Sequence, residues 1–124
     1  MAKPRLQPGP DHPITITPTG GRVIVTAGGR VVADTANALT LQEASYPPVQ
    51  YVPLADVDPA LISPTATQTY CPYKGEASYW SLPDAPDAVW GYLDPYDAVA
   101  PIKDHVAFYP DKAEVRIADR TAAS

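Results

Sequence analysis

Short apolar stretches separated by turn residues recur along the whole chain. The longest segment of its body without proline or glycine, residues 30–46, has no sustained helical stripe and reads as strand followed by strand. Sixteen prolines and seven glycines interrupt the chain, and one proline inside a helix costs about 3 kcal/mol. The pattern predicts an all-β fold, a small single-domain antiparallel sandwich or barrel of short strands. At most one short helix is expected, over residues 56–62, where aspartates and Pro59 are typical of a helix start.

Paired apolar runs around turn residues predict the strand connections. Three hairpins are expected: 23–26 with 31–33 around Gly28-Gly29, 69–73 with 76–80 around Lys74-Gly75, and 106–109 with 112–117 around Pro110-Asp111. In the third hairpin the apolar side chains of both strands should face one another across the ladder: Val106 and Phe108 on one strand, Ala113 and Val115 on the other. Further strands are predicted at 38–43, 49–52 and 88–92.

The length of 124 residues fits one domain that can bury a sizeable core. Residues 1–11 are rich in proline and are expected to form a flexible arm, residues 12–118 the single domain, and residues 119–124 a frayed tail. No apolar run approaches the roughly 18 residues that cross a bilayer, and no signal-peptide core follows the start. We therefore expect a cytoplasmic protein that has no membrane partner.

Charge and cysteine content narrow the classes of partner. Acidic residues outnumber basic ones by 14 to 9, which disfavours a surface for nucleic-acid phosphates. One cysteine, Cys71, and two histidines, His12 and His105, cannot form a disulfide or complete a Cys/His zinc site. The expected state has no metal and no other cofactor, and exposed edge strands could join copies into a homo-oligomer.

The second hairpin carries the most chemistry. A two-residue turn at Lys74-Gly75 would place Cys71 opposite Ser78 and would put Cys71, Tyr73 and Trp80 on one face of the sheet. Lys74 could then neutralise an anionic group, while Cys71 or Ser78 orients the ligand. Aromatic side chains would supply the walls of the pocket. The predicted ligand-binding residues are Tyr46, Tyr51, Cys71, Tyr73, Lys74, Ser78, Trp80, Trp90 and Tyr92.

Several segments together resemble a known family. They are residues 12–15, 30–35, 38–39 with Glu43, 46–49 with Tyr51, 56–57, 71–80, 88–90, Ile102 and 106–109. In this order they are similar to the domain-of-unknown-function family four-two-seven, which also carries a nucleotidyltransferase label. The resemblance covers roughly residues 12–117 and implies a compact Mss4-like, or β-tent, architecture. Most relatives of that architecture hold zinc through cysteine pairs, which this sequence does not contain, so zinc does not carry over.

Three functions remain open. The favoured one is binding of a small molecule, anionic or nucleotide-like, at the Cys-Pro-Tyr-Lys-Gly hairpin. The second is an enzyme at the same place, either a nucleotidyltransferase that uses Mg²⁺ or a thiol enzyme with Cys71 as its catalytic residue. Asp56 and Asp58 have the spacing of metal-binding carboxylates, but they adjoin Pro59, where aspartate commonly caps a helix. The third is a structural or protein-interaction role.

Overall fold

The computed structural model describes residues 5–118, which form ten strands and two 3-10 segments and contain no α-helix. The strands are β1 (Ile14–Pro18), β2 (Arg22–Ala27), β3 (Arg30–Thr35), β4 (Leu39–Glu43), β5 (Val49–Pro53), β6 (Ser63–Cys71), β7 (Gly75–Leu82), β8 (Ala85–Gly91), β9 (His105–Phe108) and β10 (Glu114–Ala118). The 3-10 segments are Leu54–Asp56 and Asp97–Ile102. The all-β class is confirmed. The helix predicted over 56–62 is wrong, because the chain makes a single 3-10 turn there and then continues through non-helical turns.

The strands form two antiparallel sheets that pack as a sandwich. The large sheet has the order β1-β4-β5-β9-β8-β7-β6 and the small one β10-β2-β3. A first core lies between the sheets, with Val23, Val25 and Val32 of the small sheet against Val52 and Val106 of the large one. A second core covers the other face of the large sheet, and its buried members are Leu41, Tyr51, Ala77, Tyr92, Val99, Ile102 and Ala107.

The first predicted hairpin is confirmed. Ala27 pairs with Arg30, so Gly28 and Gly29 form a two-residue turn with φ of +58° and +78°. Positive φ at both central positions is what a type I′ turn requires, and glycine adopts it without steric cost.

The third predicted hairpin is wrong. β9 pairs with β5 and β8 in the large sheet, whereas β10 pairs with β2 in the small sheet. The turn after Tyr109 exists, because the Tyr109 carbonyl accepts hydrogen bonds from the backbone N–H groups of Lys112 and Ala113. It carries the chain from one sheet to the other. Phe108 and Ala113 still meet, since both belong to the core between the sheets.

The described part of the predicted arm, residues 5–11, runs beside the second hairpin. The Leu6 N–H donates to the Pro72 carbonyl at 2.9 Å, and Gly9 pairs with His12 through two backbone hydrogen bonds. Residues 1–4 of the arm and the predicted tail, 119–124, lie outside the described residues. Within residues 5–118, no helix has the length and apolar character needed to cross a membrane.

Candidate functional site

The turn of the second hairpin lies earlier in the chain than predicted. Cys71 pairs with Gly75, so the turn consists of Pro72, Tyr73 and Lys74, and the predicted two-residue turn at Lys74-Gly75 is wrong. The Lys74 N–H donates to the Cys71 carbonyl at 3.2 Å, which closes a four-residue turn with Pro72 second. Proline favours that position because its ring fixes φ near −65°. Gly75, with φ of +108°, then starts β7.

This register separates residues that were expected to share a face. Cys71 packs with Ala77 and Tyr79 in the second core, while Trp80 is buried in the core between the sheets. The predicted common face of Cys71, Tyr73 and Trp80 is therefore wrong. The physical reason is the period of two along a strand. The partner of Cys71 is Gly75 rather than Ser78, and a shift by an odd number of residues exchanges the two faces.

Lys74 lies inside the fold rather than at an exposed hairpin tip. Its residue exposure is 7%, and its ammonium nitrogen, Nζ, lies 2.6 Å from Oε1 of Glu43 at the end of β4. The backbone N–H of Tyr96 donates to the Lys74 carbonyl at 3.0 Å, which holds the turn against the start of the second 3-10 segment. The lysine side chain consequently points toward the second core, where Nζ lies 5.9 Å from the centre of the Tyr92 ring.

Glu43 joins three parts of the chain through one carboxylate. Its Oε1 accepts a hydrogen bond from Lys74, and its Oε2 lies 2.8 Å from Nε2 of His12. Burial raises the pKa of Glu43, but the hydrogen bonds and charges of Lys74 and His12 outweigh it and hold the pKa below its usual range. The His12 ring stacks on Tyr73, with the ring centres 4.1 Å apart and the planes nearly parallel. The carboxylate thus connects residue 12, strand β4 and the hairpin turn.

Two buried tyrosines lie beside this ion pair. Burial, together with the nearby Glu43 and Cys71, raises the pKa of Tyr51 and Tyr92 far above the usual range of phenols, so both remain neutral. The Tyr51 ring meets the Trp90 ring edge-on, with the ring centres 6.4 Å apart. Within residues 5–118 the Tyr92 hydroxyl has no hydrogen-bond partner, although the residue is only 5% exposed.

Lys74 also has hydrogen-bonding capacity to spare. An ammonium group has three donors, and within the described chain Glu43 is the residue that accepts from Lys74 Nζ. No fully buried side-chain nitrogen or oxygen of the described residues lacks a partner, so the unpartnered Tyr92 hydroxyl must reach accessible space. We call His12, Glu43, Tyr73, Lys74 and Tyr92 the hairpin site. It offers an ammonium donor and a hydroxyl donor next to the Glu43 carboxylate, which already bonds Lys74 and His12.

The structure brings together only part of the predicted site. Tyr51, Cys71, Tyr73, Lys74 and Tyr92 lie at or beside the hairpin site. Trp80 lies in the core between the sheets, and Ser78 lies beside an outer groove of about 390 Å³ with Tyr70 and Tyr96. Tyr46 and Trp90 line a separate groove of about 490 Å³, but Tyr46 also makes an edge-on ring contact with His12, and Trp90 makes one with Tyr51.

Cys71 is a half-buried free thiol. His105 has its Nδ1 2.8 Å from the Lys103 carbonyl. Among residues 5–118, no three His, Cys, Asp or Glu side chains group in a way that could hold a metal ion.

Sequence reasoning missed His12 and Glu43 as members of the site. Each lies 31 positions from its partner along the chain, His12 from Glu43 and Glu43 from Lys74. No local spacing could reveal such pairs. The available signal was Glu43 itself, a carboxylate at the end of an apolar strand.

Comparison with known proteins agrees with this sequence pattern. A family model described as Domain of unknown function (DUF427), with the label NTP_transf_9, matches residues 15–119. The chain belongs to this family. It is the domain-of-unknown-function family that the residues of the chain indicated, and its match contains Glu43 and Lys74. A search of curated proteins gave no match.

Proposed function

We propose that this DUF427 domain binds a small molecule at the hairpin site. The observation that carries the proposal is a buried lysine in the turn after Cys71, paired with Glu43 while part of its hydrogen-bonding capacity stays unused. Binding sites typically combine a mainly apolar wall with a few placed polar groups. Tyr51 and Cys71 supply such a wall, and Lys74 and Tyr92 supply the polar groups.

The energetic role of the ion pair supports this proposal. Removing two charges from water costs several kcal/mol per ion before their attraction is counted, and apolar residues of similar volume often stabilise a fold as well or better. A gain in folding stability is therefore a weak explanation for the presence of a largely buried Lys74–Glu43 pair. Recognition of a ligand gives a physical reason for a cation at this position.

The enzyme alternative has less support in the geometry. Asp56 accepts a hydrogen bond from the Thr35 hydroxyl at 2.6 Å, and Asp58 accepts one from the Ala60 N–H at 2.9 Å. Both carboxylates thus have local structural partners, which favours a role in holding these turns over a Mg²⁺ site for nucleotidyl transfer. Thiol chemistry at Cys71 stays a second candidate, because this sulfur lies beside the hairpin site.

A fragment screen followed by NMR tests the proposal. Compounds are added to ¹⁵N-labelled protein, and the expected result is saturable shifts of backbone amides around residues 43, 74 and 92. Lys74→Met should abolish these shifts, whereas the exposed control Lys112→Met should retain them. If Lys74→Met fails to fold, Tyr92→Phe, which keeps the aromatic ring, is used in its place. Binding confined to the two grooves, or the same binding in Lys74→Met, would contradict the proposal.

We further propose that the domain acts in the cytoplasm, without a metal, and that edge strands join its copies. The single cysteine and the low number of histidines support the first two points. The terminal positions of β1 and β6 in the large sheet support the third, since each leaves one backbone edge without a neighbouring strand within the described residues.

A further inference from the structure

The unused donors of the hairpin site define the chemical group that fits there. The Lys74 side chain is about nine-tenths buried, and within residues 5–118 its ammonium contacts one acceptor, Oε1 of Glu43. Tyr92 is buried to a similar degree, and its hydroxyl has no partner in the same range. No fully buried polar side-chain atom of these residues lacks a partner, so the Tyr92 hydroxyl reaches accessible space. A group that uses both side chains there must accept hydrogen bonds, because the ammonium and the hydroxyl both offer donors.

Tyr92 lies beside Lys74. Its neighbours include Cys71, Tyr51 and Glu43, and Lys74 Nζ lies 5.9 Å from the centre of its ring. A carboxylate has two oxygens and several lone pairs, so it can accept from an ammonium and from a phenol together. Hydrogen bonds between charged partners are about twice as strong as neutral ones. A carboxylate therefore uses these donors better than an amide does.

The charge of the site favours a ligand with one negative charge over a ligand with two. Glu43 already offsets Lys74, so these two residues and a neutral His12 sum to zero, and a protonated His12 would raise the sum to plus one. A dianionic phosphate would exceed this charge in either state, and it would also lie near the Glu43 carboxylate. Arginine, the side chain best suited to binding phosphate through two hydrogen bonds, is not part of the hairpin site.

We infer that the hairpin site recognises a small monocarboxylate, whose oxygens accept hydrogen bonds from Lys74 Nζ and the Tyr92 hydroxyl. This inference rests on the proposed function. It names a substrate class different from the nucleotides that the label of the family suggests. No bond is made or broken in this step, and the carboxylate stays ionised.

Three probes of similar size separate the alternatives. Sodium acetate, acetamide and inorganic phosphate are titrated into ¹⁵N-labelled protein at constant ionic strength and at about pH 8, where phosphate is mainly the dianion. We expect saturable shifts at the amides of residues 43, 74 and 92 with acetate, at least tenfold weaker binding of acetamide, and no saturable shifts with phosphate. Tyr92→Phe should weaken acetate binding about tenfold, since a hydrogen bond to a charged group contributes about 1.5 kcal/mol or more. The control Tyr109→Phe, at an exposed tyrosine that contacts Trp90 rather than a member of the hairpin site, should leave binding unchanged.

Binding of phosphate or acetamide at these amides as tight as that of acetate would overturn the inference, as would an unchanged acetate affinity in Tyr92→Phe. The fragment screen separates this failure from that of the proposed function. If other fragments shift the amides of the hairpin site while carboxylates do not, the carboxylate inference fails and the binding function stands. If no compound shifts them, both fail.

Discussion

The most informative perturbation of the fold is Glu43→Gln. The substitution preserves the size of the side chain and its ability to form hydrogen bonds, but it removes the negative charge that faces Lys74 and His12. The Lys74 ammonium, at 7% exposure, would then remain buried without a counter-charge. We expect the variant to fold with a clearly reduced free energy of unfolding.

The size of this loss follows from the burial of the two partners. Breaking a fully buried ion pair on one side costs about 3–5 kcal/mol. The Glu43 side chain is 17% exposed, so water solvates the altered site in part, and we expect a loss of about 2–4 kcal/mol. For a domain of this size each kcal/mol shifts the midpoint of thermal unfolding by roughly 3–6 °C. A fall of about 10 °C is therefore the expected thermal result.

Urea unfolding at neutral pH, followed by tryptophan fluorescence, measures the change. Glu114→Gln, at an exposed position of β10, is the matched control and should change the free energy of unfolding by less than about 0.5 kcal/mol. Adding Lys74→Met to Glu43→Gln removes the orphaned charge, so the double variant should recover at least half of the loss. The reasoning is refuted if Glu43→Gln matches its control, or if the double variant is as unstable as the sum of the single ones.

Three further predictions test the fold and the charge of the site. Gly91→Ala should destabilise the protein by about 1–3 kcal/mol in urea unfolding. The reason is that the added Cβ would lie 2.5 Å from a carbonyl oxygen of β9. The control Gly9→Ala, where the added Cβ meets open space, should leave the free energy of unfolding unchanged. Thr35→Val removes a buried hydroxyl that donates to Asp56 and should cost about 1–2 kcal/mol by the same assay. Because the pKa of Glu43 lies below its ordinary 4.5, its carboxylate stabilises the fold fully above about pH 5, and this contribution disappears as the pH falls below 4.5. The difference in unfolding free energy between the natural chain and Glu43→Gln should therefore narrow between about pH 5 and pH 3, and a constant difference would contradict this assignment.

The fold class could be read from the sequence because it depends on local rules. Prolines exclude long helices wherever they stand, and Gly28-Gly29 specifies its turn through backbone conformation alone. The third hairpin failed for a different reason. Phe108 in β9 and Ala113, just before β10, line one core, although β9 and β10 belong to different sheets. The apolar residues therefore alternate as they would in two paired strands. Alternation reports which side is buried, not which strand is the neighbour.

The candidate site was predictable only in its location. The Cys-Pro-Tyr-Lys-Gly run indicated the correct hairpin, but the turn begins at Pro72 and Gly75 follows it, so the predicted register is displaced. As a result, Lys74 is buried in the interior rather than exposed at the tip of the hairpin. Its partners Glu43 and His12 come from distant parts of the chain, and only the order of the strands brings them together.

The state of the Lys74 ammonium group tests the central claim most directly. The protein is labelled with ¹⁵N at lysine side chains, and the ammonium signals of Lys74, Lys103 and Lys112 are recorded by NMR at neutral pH. We predict a resolved Lys74 signal whose protons exchange slowly with water, while the two exposed lysines exchange too fast to be seen. Glu43→Gln should move this signal or abolish it, and acetate should shift it. A Lys74 signal that exchanges as fast as those of Lys103 and Lys112 would contradict a buried, paired lysine and the site built around it.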